Sequence, residues 1–214
     1  MILGNLLRRA GQDTRGIALT EFALALPILT VLGMYGIELA YMTVVNMEVA
    51  QIATSVADNA SRLGQTENSA VTPTVTEAQV DSVMAGALAE GNSFNFQTSG
   101  RIVLSSLEVN AATGSQYIHW QRCRGSLAAT SAYGKEGATV TGMGPTGHKI
   151  TAGNGSAVMY VEVFYQYKPL FGTMFVQNTT FRREAAFLIR DNRNLTPTGS
   201  TDGVTGTGGQ SACT

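Results

Sequence analysis

The sequence predicts an α+β chain, in which a long membrane-spanning N-terminal helix is followed by a small globular domain with one short helix and an antiparallel sheet of about four strands. Three observations predict it: an apolar stretch from Ile17 to about Met47, a capped second helix after Pro73, and four alternating runs between Arg101 and Ile189. Composition sets the class. Of 214 residues, 44% are hydrophobic but only 14% are charged, while mean hydropathy is only +0.07. Thr, Ser, Gly and Asn take the places that charges normally hold, as in an exported, polar, weakly charged protein. With 14 basic against 15 acidic residues, and the basic ones scattered, there is no electrostatic footprint for nucleic acid. Two Cys and two His (His119, His148) are too few for a four-thiolate zinc site or a His-rich catalytic centre, so neither metal nor cofactor is expected.

Residues 1–16 (MILGNLLRRAGQDTRG) form a short basic leader. A secretory signal has an apolar core of roughly 7–15 residues closed by a small-x-small site. Here the apolar stretch runs on: Phe22–Ile37 is 16 consecutive uncharged residues, and a helix continuing through Glu38 reaches the ~20 residues a bilayer needs. Arg8, Arg9 and Arg15 precede the span, so the positive-inside bias places the N-terminus in the cytoplasm and the bulk of the chain outside. Two carboxylates mark the span, Glu21 near its start and Glu38 inside it; each costs about 2.5–3.5 kcal/mol at the bilayer centre and less toward the ends. Glu38 either snorkels to the far interface or needs a buried partner. Pro27 is tolerated in a membrane helix, as a plain kink or as a soft point for bending. Gly33 and Gly36, three apart, are not a GxxxG motif.

Cutting between Gly16 and Ile17 would leave a chain beginning Ile-Ala-Leu-Thr-Glu-Phe, with a free amine opening an apolar helix and a carboxylate one turn in. That carboxylate, on a neighbouring copy, would neutralise the amine during lateral packing. The string Gly, four residues, Glu, aromatic resembles the cleavage motif of type IV prepilins. The wider run RGIALTEFALALPILTVLGMYGIELAYMTVVNMEVAQIATSVADNASRLG is similar to the TadE-like minor pilins of tight-adherence (Flp/Tad, type IVc) pili, which share Gly-x4-Glu-Phe-Ala-x3-Pro, a later Glu-Leu and an Ala-rich continuation. The likeness covers residues 15–64, and Asn59-Ala60-Ser61-Arg62 departs from the Ala-Ala-Arg more usual at its end. It implies a pilin-like helix that is both anchor and filament core, Gly16/Ile17 as the site of a prepilin peptidase, and Glu21 as the assembly carboxylate. It further implies a non-enzymatic minor pilin or pseudopilin of the inner membrane, with its C-terminal domain periplasmic or carried into an extracellular pilus for adhesion or secretion. The implied partners are the prepilin peptidase, the major and other minor pilins, the inner-membrane assembly platform and the lipid bilayer. A single-pass envelope binding or receptor domain is the alternative that the same anchor permits.

The helix is expected over 17–63, because Val45, Val49, Ile52, Val56, Ala60 and Leu63 form an apolar stripe and Gly64 can stop it. A periplasmic α+β domain over 64–195 follows. Thr76-Glu77-Ala78-Gln79 is a capping box, and Val80, Val83, Met84, Ala87 and Leu88 continue at helical spacing to Gly91. Strands are expected at Arg101–Val109, Gln116–Arg122, Ala157–Tyr167 and Thr179–Ile189. In the third, Val161, Val163, Tyr165 and Tyr167 face one way and Glu162, Phe164 and Gln166 the other. Residues 125–156 are Gly- and Thr-rich and read as a long loop. Residues 196–214, of which 13 of 19 are Gly, Ser or Thr, read as a flexible tail.

An oxidising compartment allows a Cys123–Cys213 bridge tying the tail to the second strand, with a free tail thiol as the alternative. Gly142-Met143-Gly144-Pro145-Thr146-Gly147 matches GxGxxG but lacks a preceding strand and a following helix, and Pro145 removes an N–H the phosphate cradle would use. Gly147-His148-Lys149 lacks the Ser or Thr of a phosphate loop. His119 and Cys123 in a strand would point the same way about 13 Å apart, too far to share a metal. Trp120, Phe164 and Tyr165 read as core or cross-strand pairs.

Overall fold

The structure, a computed structural model, describes residues 16–64, 72–190, 192–195, 203–206, 209 and 211–213. The leader up to residue 15 lies outside them. Helix α1 spans Ile17–Ser61, 45 residues, and runs through Pro27. Three hydroxyls on it fold back onto their own turn: Thr20 Oγ1 donates to Ile17 O, Thr30 to Leu26 O and Thr43 to Leu39 O, each at 2.8 Å. Their polarity is thereby satisfied within the helix rather than presented to the surroundings.

The chain divides within α1, between Thr43 and Val44, into two compact units. One is the helix up to Thr43 together with Pro169–Gln177; the other is Val44–Lys168 with Asn178 onward.

In the larger unit, strand β1 (Val75–Thr76) leads into helix α2 (Glu77–Glu90). The expected capping box is present in both directions: Gln79 N–H donates to Thr76 Oγ1 and Thr76 N–H to Gln79 Oε1. A 3-10 turn at Gly91–Phe94 and the short α3 (Phe96–Ser99) then feed the sheet. Its strands are β2 (Gly100–Val109), β3 (Gln116–Arg124), β4 (Thr139–Val140), β5 (Ala157–Tyr167) and β6 (Thr179–Leu188). The order is β4-β3-β2-β5-β6, antiparallel throughout, curled, one short strand more than expected. Asn110 Oδ1 accepts the Ala112 N–H to make the β2–β3 turn, as Asn commonly does.

While β6 is mostly exposed or half-buried, both faces of the central strands β2, β3 and β5 are largely buried. On one, Tyr165 stacks on Phe96 and donates to Phe94 O at 2.7 Å, and Gly91 lets Phe96 and Ile52 of α1 close over it, since a Cβ there would lie 2.4 Å from Phe96. The α1 stripe is buried as spaced, with Val45, Val49, Ile52, Val56 and Ala60 all inside; Leu63, beyond the helix end, is half-buried. Segment 125–156, expected only as a loop, covers the other face. Its Met143, Ala152, Tyr133, Ala138 and Val140 pack with Leu107, Ile118, Val158 and Tyr160. This is why Glu162, placed by alternation on the polar side, is fully buried: it accepts from Ser131 Oγ and from the Ala132 N–H, and pairs with Arg182 at 2.9 Å. The GxGxxG string is a turn within this cover. Met143 and Ile150 exchange two backbone bonds, and Gly142 and Gly144 adopt φ +118° and +124°, where a Cβ would meet carbonyl oxygens at 2.8 Å.

The tail is corrected in its described parts. Strand β7 (Val204–Thr205) pairs parallel with β1, Ser211 is buried and its carbonyl accepts the Cys123 N–H, and Cys123 is bonded to Cys213. Composition read these residues as flexible because the forces that dock them are pairings with distant strands, not local pattern.

The C-terminal end of α1 is closed by arginines. Buried Arg193 donates through Nη2 to Ala60 O at 3.2 Å and Ser61 O at 3.0 Å, and the Arg190 N–H reaches Ser61 O. The last carbonyls of a helix lack internal partners and carry its negative dipole end, so a guanidinium there satisfies both. Replacing Arg193 with Met should cost about 2–4 kcal/mol, because two charge-assisted bonds are lost and the negative end of the helix loses its buried cation, while Ala60 O and Ser61 O keep only the Leu63 and Arg190 amides. Urea unfolding in detergent would measure this, and a loss under ~1 kcal/mol would show that the clamp is dispensable.

Candidate functional site: the N-terminal helix and its carboxylates

Ile17 opens α1 with Gly16 just before it, both exposed, and, its own helix aside, no described residue lies within 4 Å of where a Gly16 side chain would begin. From Ile17 to Gly33 every residue is exposed, including Leu19, Phe22, Leu24, Ile28 and Leu32. No internal core accounts for that surface. The helix is long and apolar enough to cross a membrane, with an 18-residue window of mean hydropathy 2.0 and none of that window buried. Glu21 lies on this exposed surface, about 6 Å of helical rise beyond Ile17, and has no partner among the described residues.

Glu38 differs. It is fully buried, and its Oε2 accepts the backbone N–H of Phe171 at 3.1 Å. Phe175 packs on Tyr35 with ring centroids 5.8 Å apart, and Phe171 meets Phe175 edge-on at 6.2 Å. Of the two readings open for Glu38, the structure therefore supplies the partner. Periodicity missed it because the partner lies 133 positions away. One signal was available: Leu170-Phe171 and Met174-Phe175-Val176 form an apolar connection between two strands, where polar turn residues are the rule.

Several buried or half-buried polar side chains of the larger unit are engaged with one another. Ser106 Oγ donates to Glu108 Oε1 at 2.6 Å, and His119 Nδ1 lies 2.8 Å from Glu108 Oε2, all three buried. The carboxylate sits between hydroxyl and imidazole, so the imidazole is not placed to take that hydroxyl's proton, as a nucleophilic triad requires. Cys123, four residues from His119, is spent in the disulfide. Arg122 bridges Glu77 and Glu136, and although burial opposes its charge, these two carboxylates hold its pKa above the ordinary arginine value. Burial, then the hydrogen bond with Tyr133 and the nearby Glu184, push the Tyr160 hydroxyl far above the usual tyrosine range, so it stays protonated. A cavity of about 730 Å³ lies beside the disulfide, walled by Glu77, Arg122, Glu136, Thr130 and Cys213. Compared with protein families, curated proteins and solved structures, the chain matches none.

Proposed function

We propose that this chain is a TadE-like minor pilin of a tight-adherence pilus, not an enzyme. In this reading a prepilin peptidase cuts between Gly16 and Ile17. Helix α1 then anchors the subunit in the inner membrane with its C-terminal domain periplasmic, and later packs laterally against major and other minor pilins at the assembly platform. The supporting observation is Glu21: a carboxylate exposed near the start of a helix that is apolar all round, where an unpaired charge in lipid is a net cost. A cationic terminal amine from an adjacent helix offsets that cost, and only processing at Gly16 creates such an amine.

Mass spectrometry of membrane-extracted protein is the test. A mature chain starting at Ile17 is expected from the wild type, and uncut precursor from Gly16→Arg, since a bulky residue before the scissile bond hinders close approach to the peptidase. A mature Ile17 terminus in the Gly16→Arg variant, or intact Met1 in the wild type, would remove the processing step. The cavity beside the disulfide favours a second reading, a membrane-anchored envelope binding domain. That reading predicts an unprocessed N-terminus and leaves Glu21 without a role.

A further inference from the structure

The connection between β5 and β6 is chemically out of place for a hairpin end in water. In Pro169–Gln177, Leu170 is 52% exposed and Met174 72% exposed, among the most exposed large apolar side chains outside α1. The segment is nonetheless held in place: the Phe171 N–H is bonded to Glu38 and the Phe175 ring to Tyr35. Along α1 the 21 steps from Ile17 to Glu38 rise about 31 Å, matching the ~30 Å hydrocarbon thickness of a bilayer. Glu38 therefore stands at the far edge of the hydrocarbon, and Tyr35 one turn inside it, at the level where aromatic rings gather.

We propose that Pro169–Gln177 is a second membrane contact, a wedge seated in the outer interfacial layer with Leu170 and Met174 entering the upper acyl chains. This rests on reading α1 as a membrane span. A backbone N–H at that depth needs a protein partner, and a carboxylate at that depth needs a donor; the Phe171–Glu38 bond answers both at once. From Lys168 to Asn178 there is no acidic residue, and exposed Lys168 at the start of the connection suits phosphate headgroups. The partner is thus a lipid surface. Gripping the bilayer at a second point beside α1 fixes the helix's rotation about its own axis, which a lone span leaves free.

The test uses the full chain in vesicles of phosphatidylcholine and phosphatidylglycerol. The native cysteines are closed in the disulfide, so Met174→Cys can be nitroxide-labelled selectively. Leu29→Cys in α1 and Ala112→Cys in the exposed β2–β3 turn serve as references. Power saturation with oxygen and with a nickel chelate should give position 174 an oxygen-to-nickel accessibility ratio severalfold above that at 112 and approaching that at 29. A ratio at 174 equal to that at 112, with 29 lipid-like, would overturn the wedge while leaving the span intact. Protection of 174 from both reagents would overturn lipid as the partner in favour of protein. Water-like values at both 29 and 174 would overturn the span and the wedge with it.

Discussion

Glu21→Ala abolishes filament assembly while leaving the amount of protein in the membrane unchanged or slightly raised: this is the largest expected effect. The carboxylate is exposed and makes no hydrogen bond or ion pair among the described residues, so its removal disturbs no polar bond of the fold there. Membrane insertion is relieved of a charge worth about 2.5–3.5 kcal/mol at the bilayer centre and less where Glu21 stands. Under the filament proposal assembly behaves oppositely, because each neighbour's Ile17 amine would be left in a low-dielectric contact without its counter-ion, and breaking one side of such a pair costs about 3–5 kcal/mol. At about 1.4 kcal/mol per tenfold, that is a hundredfold or more per contact. Glu21→Asp, with a shorter arm, falls between. Pilus yield measured beside membrane-fraction abundance decides it. Normal filaments from Glu21→Ala would reduce the carboxylate to an ordinary interfacial residue and remove the main support for the filament reading.

Opening the disulfide is the second. Cys123 and Cys213 close a loop of 90 positions, for which the chain-entropy model gives about 4–5 kcal/mol. Replacing both with Ala should lower Tm by about 10–15 °C for a chain of this size. The loss should also be uneven. Two-residue β7 is too short to hold by itself, so the Val204 and Thr205 amides should exchange early while those of β2 and β5 keep their protection. Unchanged Tm, or unchanged exchange at Val204, would show that the tail docks without the bridge.

Much of this architecture was legible because local pattern and tertiary demand agree. The stripe from Val45 to Ala60 and the Thr76–Gln79 box are patterns that any single-chain fold must bury or cap, and the structure does so; the alternation in β5 located the strand but not the burial of its second face. What escaped depends on matching between distant residues. Nothing around Glu38 announces Phe171, nothing around Glu162 announces Ser131 and Ala132, and the Gly-rich run 125–156 gives no period by which its apolar residues could be seen as a lid on the sheet. Irregularly spaced apolar side chains such as Ala138, Met143 and Ala152 cover a face without announcing an element. Gly16, Ile17 and Glu21 enter the proposal as features of the linear sequence, whereas the surroundings of Glu38 appear only in the fold.

The arginine closure at Ser61 has a mechanical meaning. In the proposed filament, tension would enter each subunit along α1, and the weak point would ordinarily be the Gly64 turn immediately after the helix, where φ is +78°. Here the load has a parallel route. Arg193 and the Arg190 amide grip the Ala60 and Ser61 carbonyls, and Arg190 also bridges to Asp58 one turn earlier. Arg190 stands two residues beyond β6, whose ten residues lie in register along β5. A pull on the helix is therefore borne as shear distributed over that ladder, in which many hydrogen bonds must fail together, rather than as peeling at a single turn.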